Sequence, residues 1–406
     1  MTAGVVCIYS APREDTLRDW LRMPPVMKTK KQFDFSAFAQ RRIALKVMYC
    51  GWNYHGLAYQ GESVSTVERA LFEALERTRL IQSPTSCEFS RCGRTDKGVS
   101  SSGQVISLSV RSRRPLDLPS GTPFTLEDDF PVVSMLNATL PMDIRVLAVC
   151  DVASDFHARH SCTARAYIYH LPWETSWGKA PFQAALQLLL GVHDFRNFAK
   201  LHEDNLSGSL EQEDTVTVRE MLQATCQWSQ DDRTCAVTFQ GTGFLYHQVR
   251  NMISILTMIA MGVEGVETMA KLLDPQQVDS KPVYDPAPPE PLTLVACGYG
   301  PTRMELPWSI RAETAITFQG LTSWMTLWSQ RIQLVARMMA DQEDADQKEQ
   351  PSSHGAEQRK GKGKGRDGAG HHPLLKRPRE MSLSERLQRK VQKGHWSNVS
   401  SLDANE

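Results

Sequence analysis

Nine residues in the first quarter of the chain, 91–99, carry the strongest signal; they read Arg-Cys-Gly-Arg-Thr-Asp-Lys-Gly-Val. One carboxylate, Asp96, stands between Arg94 and Lys97. The two positive charges favour its ionised form and would attract a phosphate-bearing ligand. Taken alone, the tripeptide Arg-Thr-Asp fits a solvated, charged turn equally well.

The surroundings of Asp96 indicate a loop that leads into a sheet. Gly93 and Gly98 bracket the carboxylate, where glycine gives the backbone freedom and lets a bulky ligand approach the chain. Residues 103–110 then alternate in the manner of a strand. The sequence therefore predicts a catalytic or binding loop at a strand end.

Four further blocks follow Asp96 along the chain. Residues 136–146 read LNATLPMDIRV, 156–169 begin FHAR and end RAYIY, 193–198 read HDFRNF, and 243–252 read GFLYHQVRNM. Together with 91–99, these blocks resemble in kind and order the motifs of the TruA family of tRNA pseudouridine synthases. Five blocks in order make chance agreement negligible, and the chain is identified as a member of that family.

The pattern of predicted elements indicates an α+β fold, because two consecutive halves of similar plan each combine strands with helices. The family resemblance implies two such subdomains, each with an antiparallel sheet backed by helices, and a basic RNA-binding cleft between them. It also implies that uridine in tRNA is converted to pseudouridine, an isomerisation that needs no cofactor and no metal.

The resemblance assigns roles to four residues. Asp96 matches the catalytic carboxylate, which would attack the sugar, add to the base or remove the 2′ proton. Tyr167 matches the aromatic residue that stacks on the target base, and Arg250 the basic residue that pairs with the carboxylate and lowers its pKa. Arg94 is expected to contact the RNA or Asp96. The alternatives are that Tyr167 is only a core residue and that Arg94 and Arg250 are only solvated surface charges.

Three other polar residues of the blocks receive no catalytic role. His193 and Asp194 are expected to cap or brace the structure, and His247 is ambiguous.

Details of the blocks favour one branch. Lys97 and Ser100 replace residues common in bacterial members, and the segments 31–36 and 242–248 resemble the eukaryotic branch that modifies positions 38 and 39 of tRNA. Ile168 replaces an arginine frequent there, which puts the target position in question. The same chemistry at other tRNA or mRNA uridines, and a catalytically silent RNA-binding protein, are the alternatives.

The chain divides by composition into four parts. We predict a flexible N-terminal extension at 1–38 and a catalytic subdomain at 39–150. A second subdomain with a terminal helix is expected at 151–340. Residues 341–406 are expected to form a disordered charged tail that is dispensable for chemistry. The tail contains basic tracts at 359–366 and 376–379. They fit a nuclear localisation signal, a non-specific RNA-binding segment or a solubilising tail.

Several elements can be predicted with bounds. Strands are expected at 43–50, 165–171, 217–227 and 234–240. Helices are expected at 67–78 with Thr66 as N-cap, at 181–190, at 249–261 closed by Gly262, and at 313–340. Residues 111–131 are expected to form an inserted surface loop.

Composition limits the type of RNA-binding surface and the cellular compartments that can be expected. The 46 basic and 46 acidic residues cancel, so an RNA-binding surface must be a local patch. Nine scattered cysteines without zinc-finger spacing indicate a reducing compartment. No apolar run approaches about 18 residues, so a soluble protein without a membrane span is expected. We expect it in the nucleus, the cytoplasm or both, with tRNA as partner and a homodimer left open.

Overall fold

A computed structural model of the chain describes residues 33–119, 121–201, 216–300, 306–308, 373–382, 385–386 and 389. The chain divides into two compact units, Met1–Ala37 and Phe38–Glu406. In the first unit, Phe35–Ala37 form a single 3-10 turn. The predicted helix at 313–340 lies outside the described residues, as do most of the predicted N-terminal extension and tail.

The described part of the second unit is built on one mixed sheet of nine strands. In chain order they are β1 (Ala39–Tyr49), β2 (Ser90–Arg91), β3 (Ser100–Ser112), β4 (Ile144–Asp151), β5 (Cys162–Pro172), β6 (Gly191–Asp194), β7 (Val218–Trp228), β8 (Thr234–Gly241) and β9 (Leu292–Tyr299). The order across the sheet is β4-β1-β3-β9-β5-β8-β7-β6, and β2 pairs with β3.

The sheet consists of two antiparallel halves that meet at β3 and β9. This junction is parallel and short, with Ser100 opposite Thr293 and Ser101 opposite Leu294. Backbones approach closely there, because a Cβ on Gly103 would lie 2.3 Å from the carbonyl oxygen of Val295. The predicted α+β class and antiparallel halves are confirmed, and the structure adds that the halves share one continuous sheet.

Helices cover the sheet. They are α1 (Val67–Arg77), α2 (Val132–Asn137), α3 (Lys179–Gln187), α4 (Gln248–Ala260) and α5 (Val266–Leu273). Thr66 caps α1 as predicted, since its hydroxyl accepts from the Arg69 amide. Gly262 follows α4 with φ of +72°, the left-handed conformation expected after a helix.

The apolar residues form two cores, one for each half. Helix α1 contributes Val67, Leu71 and Leu75 to the core of the first half. In the second half α3 and α4 pack together over the sheet. That second core also contains Cys92 and Val99, which flank the Asp96 loop. The loop is therefore fixed to both halves.

Two parts of the chain expected to be irregular are packed. Within the predicted loop at 111–131, Asp129 is buried, pairs with Arg41 at 3.0 Å and accepts from Ser112 at 2.6 Å. Within the tail predicted to be disordered, residues 373–382 pack onto the second half, with Leu374 fully buried. Disorder is therefore wrong for 373–382, because one buried leucine and backbone pairing anchor an otherwise polar sequence.

Candidate active site

The Asp96 loop connects β2 to β3 and is held against the turn at 51–57. Gly98 has φ of +84°, and its amide donates to the Tyr54 carbonyl at 3.3 Å. A Cβ on Gly51 would lie 2.0 Å from the carbonyl oxygen of Val99. Glycine is therefore required at 98 for conformation and at 51 for close approach.

The other bracketing glycine has a different role from the one predicted. Gly93 does not adopt the left-handed conformation, and a Cβ there would meet no atom within 4 Å. Glycine is therefore not required at position 93 for backbone conformation. The open space around Gly93 fits the predicted approach of a ligand.

The Asp96 carboxylate lies close to the Arg250 guanidinium and the His247 imidazole. Its Oδ2 is 3.7 Å from Nη1 of Arg250 and 3.6 Å from Nε2 of His247. The carboxylate is 16% exposed and the Arg250 side chain 12%. Residues 154 positions apart in sequence therefore form one charged cluster with limited access to water.

Arg250 lowers the pKa of Asp96 as predicted, but the prediction left out burial, which outweighs that effect. Burial raises the pKa of the Asp96 carboxyl above its ordinary value, and Arg250 offsets only part of that effect. The cause is desolvation of the charged form. Asp96 is consequently a stronger base than a solvated aspartate, and Arg250 is what limits its protonation.

Arg250 is placed as the sequence predicts, in the first turn of α4. Its guanidinium also donates from Nε to the Ala287 carbonyl at 2.6 Å, and the Ala287 amide returns a bond of 3.2 Å to the Arg250 carbonyl. The guanidinium therefore links Asp96 on one side to the segment before β9 on the other.

His247 lies in the site, although its role was ambiguous from the sequence. It is the N-cap of α4 with φ of +64°, an unusual conformation for a residue with a Cβ. Its ring lies 4.0 Å from that of Tyr246. The signal in the sequence was its position three residues before Arg250, which places both side chains at one helix start.

Tyr167 lies on β5 and is only 9% exposed. Its ring packs edge-on against Phe244 at 5.1 Å, and burial raises its pKa well above the ordinary value, with a smaller contribution from Asp96. The Tyr167 ring thus belongs to the second core, and the charge of Asp96 contributes to its raised pKa. Whether it stacks on a base stays a prediction.

Arg94 is exposed and is not one of the ion-pair partners of Asp96, which are Arg250 and His247. The inward-facing arginine of the loop is Arg91, which pairs with the fully buried Glu68 of α1 and donates to its Oε2 at 2.8 Å. The contact of Arg94 with RNA stays a prediction.

Arg165 is a second residue without a predicted role. On β5, its guanidinium donates to the carbonyls of Thr242 at 2.7 Å, Cys92 at 3.1 Å and Arg159 at 3.0 Å. Three backbone segments around Asp96 are thereby joined. Its place at the start of the Arg-x-Tyr-x-Tyr block was the available signal.

The HDFRNF block braces the structure, as expected. Asp194 accepts from the Arg196 amide at 2.9 Å and from the Thr217 hydroxyl at 2.7 Å, and the His193 ring bonds to the Leu190 carbonyl. Asn197 donates to the Leu272 carbonyl at 2.9 Å.

Comparisons with known proteins confirm the family that the motifs resemble. Residues 185–300 match the family model described as tRNA pseudouridine synthase. A Bos taurus protein named tRNA pseudouridine(38/39) synthase is 39% identical over 284 residues, which cover 67% of this chain and 58% of that protein.

The alignments with two less similar relatives cover a larger share of those proteins. A Caenorhabditis elegans protein named probable tRNA pseudouridine synthase tag-124 is 34% identical over 77% of this chain and 81% of its own. A Methanosarcina mazei protein named tRNA pseudouridine synthase A is 33% identical over 64% of this chain and 85% of its own. The chain spans less than two thirds of the Bos taurus relative.

Proposed function

Because the chain belongs to the TruA family of tRNA pseudouridine synthases, we propose that it converts uridine to pseudouridine in tRNA. The observation that carries the proposal is the position of Asp96, a partly buried carboxylate with Arg250 at 3.7 Å and open space around the neighbouring Gly93.

Asp96 suits the reaction because the two effects on its pKa oppose each other. Burial makes the carboxylate more basic, and the guanidinium of Arg250 favours its ionised form. The glycosidic bond from C1′ to N1 breaks, the base rotates, and C5 joins C1′. The C5 proton leaves and N1 gains one, so the product is an isomer of the substrate.

Access to the site requires the uridine to leave the RNA stack. An everted base loses its stacking neighbours, and a protein aromatic face recovers about 1–3 kcal/mol of that loss. Tyr167 and Phe244 form an aromatic pair, and the charge of Asp96 contributes to the raised pKa of Tyr167. We assign Tyr167 to the base.

Phosphate contacts supply the rest of the binding. Arg94 and Lys97 are exposed on the loop that carries Asp96, and an aromatic residue, Trp52, is 44% exposed on the adjoining turn. Cations beside an exposed ring are a typical combination for single-stranded or loop RNA. The names of the Bos taurus and Saccharomyces cerevisiae relatives support positions 38 and 39 as the targets.

The test is pseudouridine mapping of total tRNA incubated with the purified chain. Asp96→Asn is the inactive control, since the amide keeps the shape and loses the charge. Pseudouridine at 38 and 39 with the native chain, and none with the variant, is the expected result. Modification elsewhere would reassign the target, and tRNA binding without any new pseudouridine would favour the RNA-binding alternative.

Location is a separate proposal. Among residues that the structure describes, no helix has the length and apolar character needed to cross a bilayer. Lys376 and Arg379 of the 376–379 tract are exposed, and this supports residence in the nucleus as well as the cytoplasm. Imaging of a tagged chain, with both residues changed to glutamine as a control, tests it.

A further inference from the structure

The segment 373–382, here called the strap, is attached to the second half by three kinds of contact. Leu374 is fully buried, and its amide donates to Glu264 at 2.6 Å. Arg379 forms an antiparallel bridge with Pro282, and the flanking bonds run from the Val283 amide to Pro378 and from the Glu380 amide to Lys281. The strap thus pairs with residues 281–283.

At the centre of this attachment is an ion pair between a buried lysine and a half-buried glutamate. Lys281 is 7% exposed, and its ammonium lies 3.0 Å from Oε1 of Glu380 and 4.1 Å from the centre of the Tyr284 ring. A buried ammonium needs a partner, because removing one member of such a pair leaves an uncompensated charge. Glu380 on the strap supplies that partner. Arg386 adds a second contact to Glu380 at 3.2 Å and donates to the Leu201 carbonyl at 2.6 Å.

From Lys281 the chain runs directly to the active site. The Tyr284 hydroxyl donates to the Asn197 carbonyl at 2.7 Å, and the Asp285 carbonyl accepts from Ser254 of α4 at 2.7 Å. Two residues later, Ala287 exchanges hydrogen bonds with Arg250, which faces Asp96. Every link in this path is a bonded residue or a hydrogen bond.

The path continues past Arg250 to the other half. Pro289 lies 3.0 Å from where a Cβ on Gly98 would be, and the Glu290 carbonyl accepts from the Trp52 indole at 3.3 Å. The segment 281–290 therefore touches the strap at one end and the Asp96 loop and its neighbouring turn at the other.

We infer that the strap is a positioning element for catalysis: Glu380, through Lys281 and the segment 281–288, holds the Arg250 guanidinium at its distance from Asp96. This inference rests on the proposed function. It gives the strap a role in chemistry, against the expectation that residues beyond 341 are dispensable for it.

The test compares Glu380→Gln with the native full-length chain. Lys376→Gln is the matched control, because it removes one charge from an exposed side chain of the same strap. We expect Glu380→Gln to lower kcat for pseudouridine formation about tenfold while the KM for tRNA changes by less than about threefold. The control should match the native chain in kcat.

The pH profile separates positioning from general stability. A displaced Arg250 lowers the pKa of Asp96 less, so the acid limb of kcat should move to higher pH in Glu380→Gln. His247, Tyr246 and Tyr167 also act on Asp96 or lie beside it, but they are shared by all variants compared. An unchanged kcat, or a loss of kcat with an unmoved acid limb, would overturn the inference.

A second measurement does not depend on activity. Amide hydrogen exchange at Ala287 should accelerate in Glu380→Gln and stay at the native rate in Lys376→Gln. Equal exchange in all three proteins contradicts the inference even if the native chain makes no pseudouridine, whereas a native chain inactive on tRNA contradicts only the proposed function. If Glu380→Gln fails to fold, Arg379→Ala removes the bonds to Ser280 and Leu375 and is measured in the same way.

Discussion

Replacing Gly51 with alanine perturbs the Asp96 loop without altering any charged or reacting group. The new Cβ would lie 2.0 Å from the Val99 carbonyl oxygen, whereas Cβ contacts below 3.0 Å essentially never occur. The turn at 51–57 must therefore move away from the loop by about 1 Å. Overpacking of this kind costs about 1–3 kcal/mol of stability. A misplacement of about 1 Å at a catalytic group lowers the rate about 100-fold.

The assay is single-turnover pseudouridine formation at saturating tRNA, together with a thermal melt. Gly243→Ala is the matched control, because its Cβ would meet only the Arg219 side chain at 3.6 Å. We expect a large rate loss in Gly51→Ala, with tRNA affinity within about threefold of native, and no comparable loss in the control. A Gly51→Ala rate within about threefold of native would refute the claim that this contact positions Asp96.

Three further outcomes are expected. Arg250→Gln should move the acid limb of the rate to higher pH, since the effect of burial on the pKa of Asp96 is then no longer offset by Arg250; an unmoved limb in a pH-rate profile contradicts this. Asp96→Asn should abolish turnover yet raise Tm at neutral pH, because the folded-state pKa is raised and the ionised group therefore destabilises the fold above its unfolded pKa; calorimetry showing a lower Tm contradicts it. Neutralising Arg94 and Lys97 together should weaken tRNA binding and reduce the dependence of log Kd on log salt by roughly 0.7–0.9 per lost phosphate contact; an unchanged slope in titrations contradicts it.

Local patterns predicted most of the longer strands and helices, but not the strands β4 and β6 or the helices α2 and α5. Thr66 begins α1 and Gly262 ends α4 because side-chain capping and a left-handed glycine act within one helical turn. The strand β9 was missed, since a proline-rich stretch precedes it and its partners, β3 and β5, lie far away in the sequence. The order of the sheet depends on such distant pairings, and no local period reports them.

The motifs identified Asp96 and Arg250, but they did not predict the direction in which the pKa of Asp96 is shifted. Burial of Asp96 decides the sign of its pKa shift, and burial follows from packing between the two halves. The packing of the strap was missed for a similar reason. Its charged composition predicts disorder, yet the single pair between Glu380 and Lys281 depends on a partner 99 residues away.

The parallel contact of β3 with β9 also has a consequence for folding during synthesis. The hydroxyl of Ser101 bonds to the Leu294 carbonyl across 193 residues of chain. Contacts so distant in sequence form late, because the intervening chain must be closed first. During synthesis the first half leaves the ribosome carrying Asp96 but neither Tyr167 nor Arg250. The proposed activity is therefore expected to arise in a nascent chain only after β9 has emerged and the two halves of the sheet have joined.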